Sequence, residues 1–222
     1  MSLEPSPLLE VEGLRLWRAG KPLQPPLSFR VVRGKILAVV GPSGVGKSTL
    51  LRTLAGLLPV HADRLLLEGQ DLTHASPELW TRLRATHLGV LEQELGLLPH
   101  LSVEQNVLLP CLLLKLPLSD LLPRMHMMLQ ALGLLALRAR AASTLSRGQA
   151  QRVALVRALL APRGLLLLDE PDASLDLEAR GWAREQLRAA AERGVGLVMS
   201  THDPESMALA DEVLRLEVPH GV

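Results

Sequence analysis

The sequence predicts an α/β fold: a mostly parallel sheet with flanking helices, an antiparallel β subdomain at its edge, and an inserted α-helical subdomain. Short apolar runs at 36–40, 165–168 and 195–200 read as strands buried on both faces of a parallel sheet. Helical segments alternate with them. The stretch from Gln93 to about Ser146 is rich in Leu and Met, has helical spacing and carries several prolines. It reads as a helical insert between strands of the core.

The elements follow in order. Residues 8–17 alternate loosely and predict an edge strand, with 27–32 as its partner. Arg33, Gly34 and Lys35 make a turn, and 36–40 is the first buried strand. Residues 48–57 predict a helix that ends before Pro59. A short strand at 64–67 turns at Glu68-Gly69-Gln70. A polar helix at 77–85 and a strand at 88–91 precede the insert. After it come a helix at 149–160 stopped by Pro162, the second buried strand, a helix at 177–191 and the third buried strand. No repeat, low-complexity tract or flexible linker breaks the chain. The expected organisation is one domain over 1–222, with a core lobe at 1–92 and 161–222 and a helical lobe at 93–160.

Composition narrows the class. The 222 residues suffice for one compact domain, and 48% hydrophobic content supports a substantial core. With three Trp, one Phe and no Tyr, that core must be aliphatic. A formal net charge of +1 gives no bulk signal for nucleic acid or anionic membrane. The single cysteine, Cys111, excludes an intramolecular disulfide and fits a reducing compartment. The start, Met1 to Pro7, has neither a basic region nor an apolar run, so no signal peptide is expected. The apolar stretch 107–122 is interrupted by Pro110, Lys115, Pro117 and Asp120 and is too short to span a bilayer. A soluble chain is expected, and any membrane role must come through a partner.

One loop carries the chemistry. G-x-x-x-x-G-K-[ST] occurs as Gly41, Pro42, Ser43, Gly44, Val45, Gly46, Lys47 and Ser48, between a strand and a helix. Glycines let successive backbone N–H groups turn inward as a nest for phosphate oxygens. The helix that starts near Lys47 and runs on through Thr49 adds its positive end. Lys47 is expected at the β- and γ-phosphates, and the Ser48 hydroxyl on Mg²⁺. The alternative is a glycine-rich turn that binds nothing; the preceding strand and the Lys-Ser pair in register disfavour it. The loop alone leaves a kinase, a GTPase, a motor and a transporter ATPase open. A second element is the apolar strand that ends in Asp169 and Glu170. Beside a phosphate loop, Asp169 is expected on the metal side and Glu170 as the general base.

Leu145-Ser146-Arg147-Gly148-Gln149 resembles the Leu-Ser-Gly-Gly-Gln signature of ATP-binding-cassette (ABC) ATPases, a P-loop NTPase family. The resemblance covers nearly the whole chain and keeps the family order: phosphate loop, Gln93, signature, Asp169-Glu170, His202. It implies that Gln93 is the Q-loop glutamine, near Mg²⁺ and the attacking water, and that Ser174-Leu175-Asp176 is the D-loop. His202 then is the switch histidine at the γ-phosphate. It also implies a head-to-tail pair in which Ser146, Gly148 and Gln149 of one subunit, with Asp176, complete the MgATP site of the other. That second ATPase subunit is expected to be another copy of the chain.

The chain departs from the family pattern in places. Arg147 replaces the first signature glycine, where a side chain either crowds the partner's nucleotide or adds a cation near it. Many members of that family carry a tyrosine near the N-terminus that stacks on adenine. Here Arg18 falls on its place and Trp17 is the nearest aromatic, so either residue stacks or Trp17 fills the sheet edge. Glu92 stands where Phe commonly precedes the glutamine. Residues 88–93 and 97–110 are similar to the lipoprotein-releasing and macrolide-exporter ATPases.

The resemblance implies a nucleotide-binding subunit that docks transmembrane permease subunits, cytoplasmic and peripheral on the inner face of the membrane. An ABC ATPase with a non-transport partner, in cell division for example, and a regulatory module of low turnover remain alternatives. No basic stripe marks a nucleic-acid partner.

Overall fold

The computed structural model describes residues 6–18, 20–161 and 163–217. The first half of the chain forms β1 (Pro7–Leu14), β2 (Trp17–Arg18), β3 (Lys21–Pro22), β4 (Leu27–Val32), β5 (Ile36–Val40), α1 (Lys47–Leu54), β6 (Arg64–Leu67), β7 (Gln70–Asp71), α2 (Pro77–Thr86) and β8 (Leu88–Leu91). Helices α3 (Val103–Leu113), α4 (Leu118–Ala131) and α5 (Arg147–Leu160) follow, then β9 (Leu165–Asp169), α6 (Leu177–Glu192), β10 (Gly196–Ser200), α7 (Pro204–Met207) and β11 (Glu212–Arg215).

A parallel sheet runs in the order β11-β5-β10-β9-β8, and an antiparallel sheet in the order β4-β1-β6-β7. Strands β5, β9 and β10 are buried along their whole length, which explains their apolar runs, whereas the edge strand β11 is mostly exposed. Along them alternate residues serve two cores. Ile36, Leu166, Leu168, Leu197 and Met199 join α3, α4, α5 and α6 on one face. Leu37, Val39, Leu165, Leu167 and Val198 join α1 and the antiparallel sheet on the other.

The strand expected at the edge is central instead: β1 pairs with β4 on one side and β6 on the other. Its loose alternation has a different cause. Leu9 and Val11 are buried, while Glu10 and Glu12 on the open face pair with Arg64 of β6 at 3.1 and 3.7 Å. A half-solvated central strand alternates as an edge strand does.

Helix boundaries shift for local reasons. Helix α1 ends at Leu54, short of the expected 57, because Gly56 takes φ +63° and Leu57 N–H donates to the Arg52 carbonyl. A Cβ at Gly56 would sit 2.0 Å from the Trp80 ring, so only glycine fits under that side chain. Helix α5 starts earlier than expected because Ser146 caps it. Pro162, its expected stop, and Met1 to Pro5 lie outside the described residues. The apolar stretch 107–122 is divided between α3 and α4. Among the described residues no helix is long and apolar enough to cross a membrane.

Candidate active site

Strand β5 ends at Val40, and the loop 41–46 turns directly into α1. Gly46 occupies the cap position with φ +114°, a conformation strained for any side chain, and a Cβ there would press to 3.3 Å from Leu23. Leu16 and Leu23, which flank the β2–β3 hairpin, thereby hold Trp17 and Arg18 over the loop. Lys47 is only 7% exposed, and its Nζ donates to the carbonyls of Gly41 (2.8 Å) and Pro42 (3.0 Å). The loop and its lysine are locked into one unit.

Strand β10 lies between β5 and β9, with Ser200 opposite Val39 on one side and Asp169 on the other. Ser200 is fully buried, and its hydroxyl donates to Asp169 Oδ1 at 2.5 Å. Glu170 N–H donates to the Ser200 carbonyl (3.1 Å) and Oγ (3.0 Å), while Gln151 of α5 donates to the Glu170 carbonyl at 3.0 Å. Held on both sides, Glu170 adopts φ +49°, in the left-handed region that costs an L-residue about 1 kcal/mol or more. Its Oε1 lies 3.1 Å from His202 Nε2.

Ser43, Gly44, Gly46, Lys47, Ser48 and Thr49 face a cleft of about 760 Å³ that they share with Gln93, Asp169, Glu170, Trp17 and Arg18. The expected phosphate, metal and base residues therefore converge. Arg147 and Ser174 reach the same cleft. Ser146, Gly148, Gln149, Asp176 and His202 do not line it. Ser146 Oγ accepts the Gln149 N–H, and Gln149 Oε1 accepts the Ser146 N–H, closing a capping box on α5. Gly148 packs beside Ser174, which itself has φ +60°. Asp176 caps α6 by accepting the Ala179 N–H at 2.9 Å.

Glu92 forms an ion pair with Arg52 of α1 at 3.2 Å. Burial pushes the Glu92 carboxyl upward; Arg52 pulls it back, and Glu94 and Asp169 add to the rise. The following loop is gripped by Arg157 of α5, whose guanidinium donates to the carbonyls of Leu95 and Gly96, both at 2.6 Å.

The donors suit a hard cation. Ser48 and Asp169 present oxygens to one cleft with Gln93 beside them, the chemistry that Mg²⁺ prefers. Among the described residues no group of three or more His, Cys, Asp and Glu could hold a metal unaided.

The sequence profile described as ABC transporter matches residues 25–173. The chain belongs to the ABC transporter family. It is 34% identical over 213 residues to the spermidine/putrescine import ATP-binding protein PotA of Shigella flexneri serotype 5b, covering 95% of this chain and 55% of that protein. The chain thus spans about half the length of the curated relatives it matches. A solved structure described as the ATP binding subunit of an ABC transporter superposes with TM-score 0.83 at 25% identity, covering 95% of this chain and 88% of that one. The ATP-binding cassette MJ0796, in a dimeric post-hydrolysis state with ADP and Pi, superposes with TM-score 0.84 at 22% identity, covering 96% and 97% of the two chains. At that identity the likeness shows the fold.

Several residues of this ABC transporter chain escape the sequence patterns. Ser200 could have been found, as the one polar side chain of an otherwise apolar strand. Gln151 and Arg157 sit on the inner side of α5 with no motif to mark them. Gln24, alone between two short strands, carries no signal at all.

Proposed function

We propose that this chain is the ATP-hydrolysing nucleotide-binding subunit of an ABC transporter, with MgATP in the cleft between the phosphate loop and the ends of β9 and β10. The convergence of Lys47, Ser48, Asp169 and Glu170 on one cleft carries this reading. The loop amides and Lys47 bind the β- and γ-phosphates. Ser48, Asp169 and Gln93 hold Mg²⁺, which neutralises charge on the phosphate oxygens. Glu170 takes a proton from the attacking water, and His202 orients the Glu170 carboxylate while facing the γ-phosphate. Trp17 or Arg18 covers the adenine.

Ser146, Gly148 and Gln149 of the signature lie outside this constellation, although Arg147 between them reaches the cleft, and the Ser146 cap of α5 is intact. Ser146, Gly148 and Gln149, with Asp176, serve the nucleotide of a second subunit, and ATP holds the two together. Hydrolysis releases them. The helical lobe, 93–160, docks the permease, and its movement follows the Gln93 loop through Arg157. The chain works on the cytoplasmic face of the membrane.

Affinity purification of the tagged chain from solubilised membranes, with ATP and Mg²⁺, tests this directly. A multi-span permease should co-purify. Recovery of soluble partners alone would overturn the transport reading in favour of a non-transport ABC ATPase.

A further inference from the structure

We propose that Gln24 is a positioning residue for the phosphate loop: its buried carboxamide sets the orientation of the Val45–Gly46 peptide and so aims one donor of the nest. The inference rests on the nucleotide-binding reading above.

Gln24 sits between β3 and β4 and is 6% exposed. Its Nε2 donates to the Val45 carbonyl at 3.0 Å and to the Glu217 carbonyl at 2.6 Å, and its Oε1 accepts the Glu217 N–H at 3.1 Å. Both amide hydrogens and the amide oxygen are thus engaged. Glu217 follows β11, which is fixed in turn to β5 through Leu216 N–H on the Val40 carbonyl at 2.8 Å. One side chain therefore fastens the middle of the loop to the strand beside the loop's own origin.

The consequence comes from peptide geometry. A planar trans peptide points its C=O and N–H in opposite directions, and no cis bond occurs among the described residues. A carbonyl of Val45 held toward Gln24 turns the Gly46 N–H the other way, at a residue that lines the phosphate cleft. Sterics alone do not fix this plane, because Gly46 has no side chain to restrict it. An inverted plane would present a carbonyl oxygen to an anionic ligand and leave the Gln24 donor buried without a partner. The carboxamide selects the productive orientation before the nucleotide arrives.

Two variants of the full chain test this, Gln24→Met, which keeps the shape without the polar atoms, and Gln24→Glu, which sets a second acceptor against two carbonyls. Steady-state ATPase assays should show KM for ATP raised about three- to tenfold by Gln24→Met, the loss expected for one hydrogen bond, and more by Gln24→Glu. The kcat at saturation should stay within about twofold, as for lost binding shared by ground and transition states. The ATP-induced rise in Tm should shrink in step. A folded variant with wild-type KM and a wild-type ATP-induced rise, however low its starting Tm, overturns the proposal. Gln24→Asn, one methylene short of Val45, takes the same readings if both others fail to fold. Lys47→Ala runs alongside: if it binds ATP as the wild type does, the nucleotide site itself is misplaced.

Discussion

His202 Nε2 stands 3.1 Å from Glu170 Oε1, although the two residues follow different strands of the parallel sheet. The pairing of Ser200 with Asp169 sets the two strand ends level, so that each strand delivers its next residues to the same point. Both side chains are about half exposed. Solvent screens such a pair, and its contribution to stability is small; on the proposed reading its value is in orienting the carboxylate.

Glu170→Gln should therefore retain ATP binding and lose turnover by about 10²-fold or more, the scale of general-base catalysis. Phosphate release measures the loss. Size exclusion with ATP should show the apparent mass doubling as the subunits stay joined. Normal turnover in this variant would remove Glu170 from the base position.

Lys47→Ala takes away the ammonium that, on the proposed reading, meets the phosphates. ATP affinity should fall by about tenfold or more, as expected for a hydrogen bond to a charged group, in a fluorescent-nucleotide titration. Unchanged affinity would sink the phosphate-loop assignment.

Ser200→Ala should act on both acids together. It removes the hydroxyl that donates to Asp169 and accepts from Glu170 N–H. A loss of about 1–3 kcal/mol in urea unfolding is expected for a buried partner removed, with a higher Mg²⁺ requirement for turnover. Wild-type values in both measurements would show that the hydroxyl is dispensable.

Asp203 makes acid stability measurable. The Ser206 N–H holds its carboxyl below the ordinary range, against a small opposing effect of burial, with Arg184 and Arg180 assisting. A carboxyl depressed in the folded state contributes stability above its unfolded value, about 3.9, and loses it as pH falls through the folded one. Asp203→Asn should melt below the wild type at pH 7, with the gap closing at pH below about 4. A gap of constant size across that range would mean that the charge contributes nothing.

The sheet and the proposed phosphate loop were legible because their residue patterns are dictated locally. A strand buried on both faces must be apolar throughout, and a phosphate nest needs glycines at fixed spacing, so 36–48 and 165–170 declare themselves. The centrality of β1 was hidden because Glu10 and Glu12 on its open face imitate an edge. The residues that steady the site without a motif, Gln24, Gln151 and Arg157, act through backbone groups distant in sequence; Gln24 reaches Glu217 across 193 positions. A side chain that bonds a distant backbone group leaves no pattern at either end, because the accepting residue can be of any type.

The left-handed backbone at Glu170 sets the fold and the chemistry at odds over one residue. Glycine meets no steric penalty at that φ, and asparagine meets less than glutamate. Either replacement should raise the melting temperature while abolishing turnover. A library of this chain screened for heat resistance alone would drift toward tolerant, inert proteins, with the proposed base among the first residues to be lost.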